Sequence, residues 1–285
     1  LELVSVPAVV ILVAVGGYAA WLNIDQAGGW GSFLELSRSQ AGTETERLTL
    51  LQGINIVIGS WIVGAIVMPE YTRFARKAWV AIAIPFIVLM ISQWFLQGIG
   101  ALGGVVSGTY DFTTYLLAQG MVVGGIGLIG MSLALWTTGD ANLYLPVIQT
   151  ASVFRRPQHV MTVICGLLGT VLGLGIYQQF ANWIELLAVL VPPLIGPVIV
   201  DYYIVNRGRF SAAALEASPG WNPAAFIAYL AGAISTNWSP DWTVPALFGL
   251  IVSMIVYAVV YELLHLAGIN PHAAGRRSTV TSAGA

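Results

Sequence analysis

Thr137, Thr138 and Asp140 sit together in Leu135–Tyr144, LWTTGDANLY, directly after a long apolar run. Two adjacent hydroxyls and a nearby backbone carbonyl are hard oxygen ligands, the type a small cation takes. The competing reading is that each threonine bonds back to a carbonyl one turn earlier and does nothing more. Asp140 is the only carboxylate between Asp111 and Glu185. A carboxylate at the end of a membrane helix is a functional candidate. Solvation at the interface explains it equally well, so both readings stand.

The second stretch with chemical potential is Gly59–Arg76, GSWIVGAIVMPEYTRFAR. A Gly59-Ser60 pair inside an apolar run predicts a weakened helical ladder, with Trp61 beside it and a break at Met68-Pro69. Freed backbone groups are tolerated in a bilayer only against protein or a water-filled cavity. Interrupted helices of that kind build substrate and ion sites in transporters. A plain kink with an aromatic packed against it is the alternative. Weaker polar positions have structural explanations. Gln93 and Gln97 lie one turn apart and suit inter-helix hydrogen bonds. Glu185 and Asp201-Tyr202-Tyr203 suit interfacial anchors. Pro192-Pro193 predicts an interrupted span. No catalytic triad, phosphate loop or paired acid/base set is present.

The elements that must position these residues are membrane helices. The chain is 57% hydrophobic and 8% charged, with a mean hydropathy of +0.81. Soluble domains carry about 25% charged residues. Long uncharged runs read as spanning helices, not as the short alternating strands of a membrane barrel. A net charge of -2 carries no nucleic-acid signature. Cys165 is the only cysteine, and with scattered histidines it predicts no metal site of the zinc type. No cofactor is expected. The chain opens at Leu1 without a basic leader or cleavage site. No signal peptide is expected, and a fragment without its N-terminal part is.

Eight spans are predicted: 3–22, 48–68, 78–102, 113–138 with a polar extension to 149, 160–180, 183–203, 222–236 and 244–266. The seventh is short for a span. The positive-inside rule supports that number. With the first residue inside, the inner loops hold nine basic residues (Arg73, Arg76, Lys77, Arg155, Arg156, Arg207, Arg209, Arg276 and Arg277) and the outer loops two, Arg38 and Arg47. Both ends are then cytoplasmic, in an inner (plasma) membrane. A short interfacial helix is expected within 23–47. One transmembrane domain is expected over 1–270, with a mobile tail over 271–285. Three glycine pairs, Gly100/Gly104, Gly120/Gly124 and Gly169/Gly173, have the spacing of close helix packing.

GSW at Gly59–Trp61 with PEYTRFAR at Pro69–Arg76, LWTTGDANLY, and VPPLIGPVIVDYYIVNR at Val191–Arg207 carry a resemblance. In order and spacing they resemble the purine–cytosine permease family of nucleobase–cation symporters. The resemblance implies an all-α, leucine-transporter-like fold of twelve helices with two inverted repeats. The eight spans would be helices five to twelve, with the second repeat complete. It implies a partial sodium site at Ala134, Thr137 and Thr138. It implies a substrate wall of Gly59, Ser60 and Trp61, with Gly139 and Asp140 on the substrate side. A cytosine-transporting member has phenylalanine at the place of Trp61 and asparagine at that of Gly139. A purine, a hydantoin-like molecule or another nitrogen heterocycle therefore stands beside cytosine as substrate. The expected partners are that small molecule and the bilayer. A permease of the same fold for an amino acid, or a non-transporting membrane subunit, is the alternative.

Overall fold

In hydrocarbon every backbone N–H and C=O must be satisfied within the protein, and for apolar runs of this length a helix does so most simply. The computed structural model describes residues 2–43, 49–108, 112–118, 120–176, 179–208 and 222–268. The predicted tail lies outside the described residues. The helices are α1 (Glu2–Gln26), α2 (Trp30–Thr43), α3 (Leu50–Thr72), α4 (Ala78–Ser107), α5 (Phe112–Ala118), α6 (Met121–Phe154) and α7 (Gln158–Ile176). They continue as α8 (Phe180–Leu190), α9 (Pro192–Val200), α10 (Pro223–Ser235) and α11 (Pro245–Leu266). Two wide turns of i→i+5 type interrupt them. One is Ile87–Ser92 inside α4, just after Pro85, and the other is Asp201–Val205 after α9.

Seven helices or helix pairs among the described residues are long and apolar enough to cross a bilayer, against the eight expected. The shortfall is α10. Its 13 residues rise about 20 Å, against a hydrocarbon core of roughly 30 Å. The extra turn Thr236–Trp238 adds about 6 Å. A short helix, α2, is present within 23–47, where an interfacial one was expected. The expected interruption at Pro192-Pro193 is also present: α8 stops at Leu190 and α9 starts on the proline pair. The expected breaks in α3 are absent. That helix runs unbroken through Gly59, Ser60 and Pro69 to Thr72.

The residues form two compact units. The first comprises Leu1–Arg47 and Met68–Gly175, and the second Leu48–Val67 and Ile176–Ala285. In the first, α1 packs on α4 and α6. Gly120, at φ 95° and ψ 166°, takes a backbone conformation open to glycine where α5 folds back along α6. A Cβ at Gly124 would lie 2.7 Å from the Leu116 carbonyl oxygen, so α5 and α6 meet backbone to backbone. Ala19, Tyr115 and Leu116 make the buried centre, where the Asn23 amide donates to the Tyr115 hydroxyl.

In the second unit α9, α10 and α11 pack on one another. Gly232 and Gly249 face each other, and a Cβ on either would come within 2.9 Å of the other's carbonyl oxygen. Such approach in lipid rests on van der Waals contact, which only small residues permit. Ser253 donates to the Pro193 carbonyl at 2.8 Å, which ties α11 to the turn the prolines open. The packing pairs predicted from spacing are mostly not these. Gly100, Gly169 and Gly173 have nothing within 4 Å of a modest side chain's position. Along α7, Val163, Leu167, Leu168, Val171 and Leu172 are all exposed. That apolar exterior suits a solvent of lipid tails.

Candidate functional site

The residues of α3 come first. Gly59 is buried because a Cβ there would collide with the Ile184 carbonyl oxygen of α8. Its role in this unit is close approach, not a freed ladder. The Ser60 hydroxyl donates to the Val57 carbonyl at 2.7 Å, within its own helix. Trp61 is half-buried. Its indole lies along the helix over Gly64, where a Cβ would stand 2.7 Å from the six-membered ring. Gly64 is therefore what lets the tryptophan lie flat. One turn before Gly59, the buried Asn55 side chain accepts from the Ala246 N–H at 3.0 Å. It satisfies one of the orphan donors that open α11.

The second set lies on α6, in the other unit. Thr137 and Thr138 do not sit at the foot of the helix, nor Asp140 at its end: α6 continues to Phe154. The Thr137 hydroxyl donates to the Ala134 carbonyl at 3.0 Å. This is the back-bond of the structural reading, and it also places two oxygens side by side on one face. Thr138, Gly139 and Asp140 are exposed. No group of three or more His, Cys, Asp or Glu side chains that could hold a metal ion occurs among the described residues. Any cation here would rest on hydroxyl and carbonyl oxygens. A cavity of about 630 Å³ opens in the first unit between α1, α2 and α4. It is lined by Trp21, Trp30, Phe33, Trp94 and Phe95, and no predicted site residue borders it.

Two features escaped the sequence reading. The first is a polar network around a buried tyrosine in the second unit. Tyr257, fully buried, donates to the Asp201 carboxylate at 2.9 Å and accepts from the Asn222 amide at 3.0 Å. Asn206 donates to the other Asp201 oxygen at 3.0 Å. Asn222 also caps α10, accepting from the Ala225 N–H at 3.1 Å. The Asn222-Pro223 pair was a readable signal, because asparagine and proline favour the cap and first helical position. The second is a contact between the end of α3 and α6. Tyr71 donates to the Ala141 carbonyl at 3.0 Å, and the Arg73 guanidinium reaches the Tyr144 hydroxyl at 3.4 Å.

Among the described residues, seven helices or helix pairs of spanning length and apolar composition define a multi-pass membrane protein. The family described as permeases for cytosine/purines, uracil, thiamine and allantoin matches residues 2–266, and the chain belongs to it. A cytosine permease of Escherichia coli O157:H7 is 29% identical over 240 residues, covering 84% of this chain and 54% of that protein. A hydantoin permease of Microbacterium maritypicum is 27% identical over 287 residues, covering 91% and 53%. A purine-uracil permease of Arabidopsis thaliana is 26% identical over 265 residues, covering 82% and 42%. The chain spans about half the length of the curated relatives it matches. No solved structure matches it.

Proposed function

We propose that this chain is part of a secondary active transporter that imports a nucleobase or a related nitrogen heterocycle by cation symport. The observation that carries the reading is the family match across residues 2–266, on a chain of spanning helices. Its relatives are named as permeases for cytosine, hydantoin and purine-uracil, all flat nitrogen-bearing rings. The helices are assigned as five to twelve of a leucine-transporter-like fold, with α10 as a short crossing. That crossing puts Arg207 and the basic tail on one side, and both ends in the cytoplasm. Thiol labels at Ser107→Cys and Arg155→Cys then report opposite faces of the membrane. Labelling of both from one face overturns the topology.

In this reading each unit supplies its own partial site. Trp61 offers an indole face to the heterocycle, supported by Ser60 and Gly59. On α6, Ala134, Thr137 and Thr138 offer oxygens to sodium, and Gly139 and Asp140 face the substrate. Stacking of a base on an aromatic contributes about 1–3 kcal/mol, and each 1.4 kcal/mol is tenfold in affinity. The test uses the natural polypeptide that carries these residues, reconstituted in vesicles. Radiolabelled cytosine, hypoxanthine, uracil and hydantoin are offered under sodium or proton gradients. Saturable, gradient-driven uptake of at least one is expected. Trp61→Ala weakens its binding roughly ten- to a hundredfold, while Trp61→Phe keeps most of it. Uptake no greater than in empty vesicles for all four, from folded protein, refutes the transport reading. Wild-type affinity in folded Trp61→Ala refutes the stacking role.

A further inference from the structure

The stretch of α6 that carries the proposed cation residues gathers several features that weaken a helix. Gly139 lies in its interior, where a glycine costs helix stability. Pro146 follows seven residues later and has no N–H to give the Asn142 carbonyl. The hydroxyls of Thr137 and Thr150 bond back to the Ala134 and Pro146 carbonyls at 3.0 and 2.5 Å. Back-bonding threonines and interior prolines are recognised causes of helix bending. Four such features within 14 positions make 137–150 a segment able to hinge.

The end of α3 lands on that segment. Tyr71 donates to the Ala141 carbonyl at 3.0 Å, and Arg73 reaches Tyr144 at 3.4 Å. Arg73 is steered from its own side by Glu70, at 2.9 Å, and by the Phe74 ring, 4.8 Å from its guanidinium carbon. Both contacts fall between Gly139 and Pro146. Tyr71, Arg73 and Tyr144 are exposed. A single hydrogen bond contributes about 0.5–1.5 kcal/mol net, so two such contacts are weak enough to open and close.

We propose that Tyr71 and Arg73 are positioning residues, forming a releasable staple that holds the α6 hinge around Ala141–Tyr144 and with it the setting of Thr137, Thr138 and Asp140. The role of those three residues rests on the transport reading, while the staple and hinge do not. Closed, the staple fixes the direction of α6 on either side of Gly139. Open, it lets the two halves bend.

The experiment uses the natural polypeptide in two parts. Amide exchange over 137–150 is measured by mass spectrometry in the parent and in Tyr71→Phe, which loses the hydroxyl and keeps the ring. A three- to tenfold faster exchange there is expected, with 158–176 in α7 unchanged. Equal exchange in both proteins overturns the proposal, whether or not the protein transports. In the second part Arg73→Cys and Tyr144→Cys are joined by a cleavable bis-maleimide, in a Cys165→Ala background. Uptake is expected to fall at least tenfold when the staple is locked and to return on cleavage of the linker. Full uptake with the linker in place overturns release as a step, since a structural contact tolerates locking. If the unlinked control takes up no nucleobase while the exchange effect is present, the transport reading fails and the staple stands.

Discussion

Removing one oxygen atom, the hydroxyl of Tyr257, tests the centre of the second unit. The Tyr257 side chain is fully buried on α11, where its hydroxyl gives one hydrogen bond to Asp201 and takes one from Asn222. Tyr257→Phe keeps the ring and its packing on Val200, Ala224 and Ala228. What changes is the pairing of a carboxylate oxygen and an amide. In water-soluble proteins a hydrogen bond to a charged group is worth about 1.5–3 kcal/mol and a neutral one about 1. Between membrane helices measured couplings average about 0.6 and reach about 1.7, because the unfolded chain in the membrane also finds partners. Two bonds, one of them to a carboxylate, therefore place the loss at about 1–3 kcal/mol. Thermal unfolding of purified protein, followed by loss of the monodisperse peak, reads it out. At about 2–4 °C per kcal/mol, the figure for domains of 150–250 residues, a drop of roughly 2–12 °C is expected. Asp201→Asn keeps an acceptor for the tyrosine but turns an amide NH2 toward the Asn206 amide that donates to the other oxygen, so it too is destabilising. Tyr203→Phe, at an exposed hydroxyl, is the control. If Tyr257→Phe unfolds within a degree of that control, the network is not what holds α9, α10 and α11 together.

Two further outcomes follow from the same geometry. Gly59→Ala drives a methyl group against the Ile184 carbonyl and is expected to cost about 1–3 kcal/mol, typical of overpacking; Gly169→Ala, where a Cβ meets nothing within 4 Å, is neutral or stabilising, and equal thermal stability of the two variants would rule out close approach as the reason for Gly59. Thr137→Ala with Thr138→Ala, in the natural polypeptide, should raise the sodium concentration for half-maximal uptake about tenfold, equivalent to about 1.4 kcal/mol of lost sodium binding; an unchanged sodium curve removes these hydroxyls from the cation site.

The sequence made the class legible because hydrocarbon leaves so few choices. Long uncharged runs predict helices, and the proline pair at 192–193 has one effect on a ladder wherever it stands, so the α8/α9 interruption was readable. The seventh span, predicted over 222–236, falls short of the length criterion because Asn222-Pro223 and the turn at Thr236 leave room for only the 13 residues of α10. The break expected in α3 did not form. Glycine and serine weaken a helix only where nothing restores what they lose. Here the Ser60 hydroxyl bonds within the helix, and Gly59 closes on α8.

Glycine spacing was the least legible feature, and the reason bears on the candidate site. A glycine is informative only through what faces it, and facing is tertiary. Gly169 and Gly173 have the packing spacing and face nothing, whereas Gly232 and Gly249, far apart in sequence, close on each other's carbonyls. Gly139 looks the same as these in one dimension. In three dimensions it faces nothing within 4 Å, on an exposed part of α6. It therefore neither packs like Gly232 nor turns the chain like Gly120. Beside the place toward the substrate proposed for it, Gly139 weakens the helix, in a stretch that also holds Pro146 and two back-bonding threonines. That weakness is a local property and was written in the sequence. The partner that lands on it, Tyr71, lies 70 residues away from Ala141, and only the fold brings the two together.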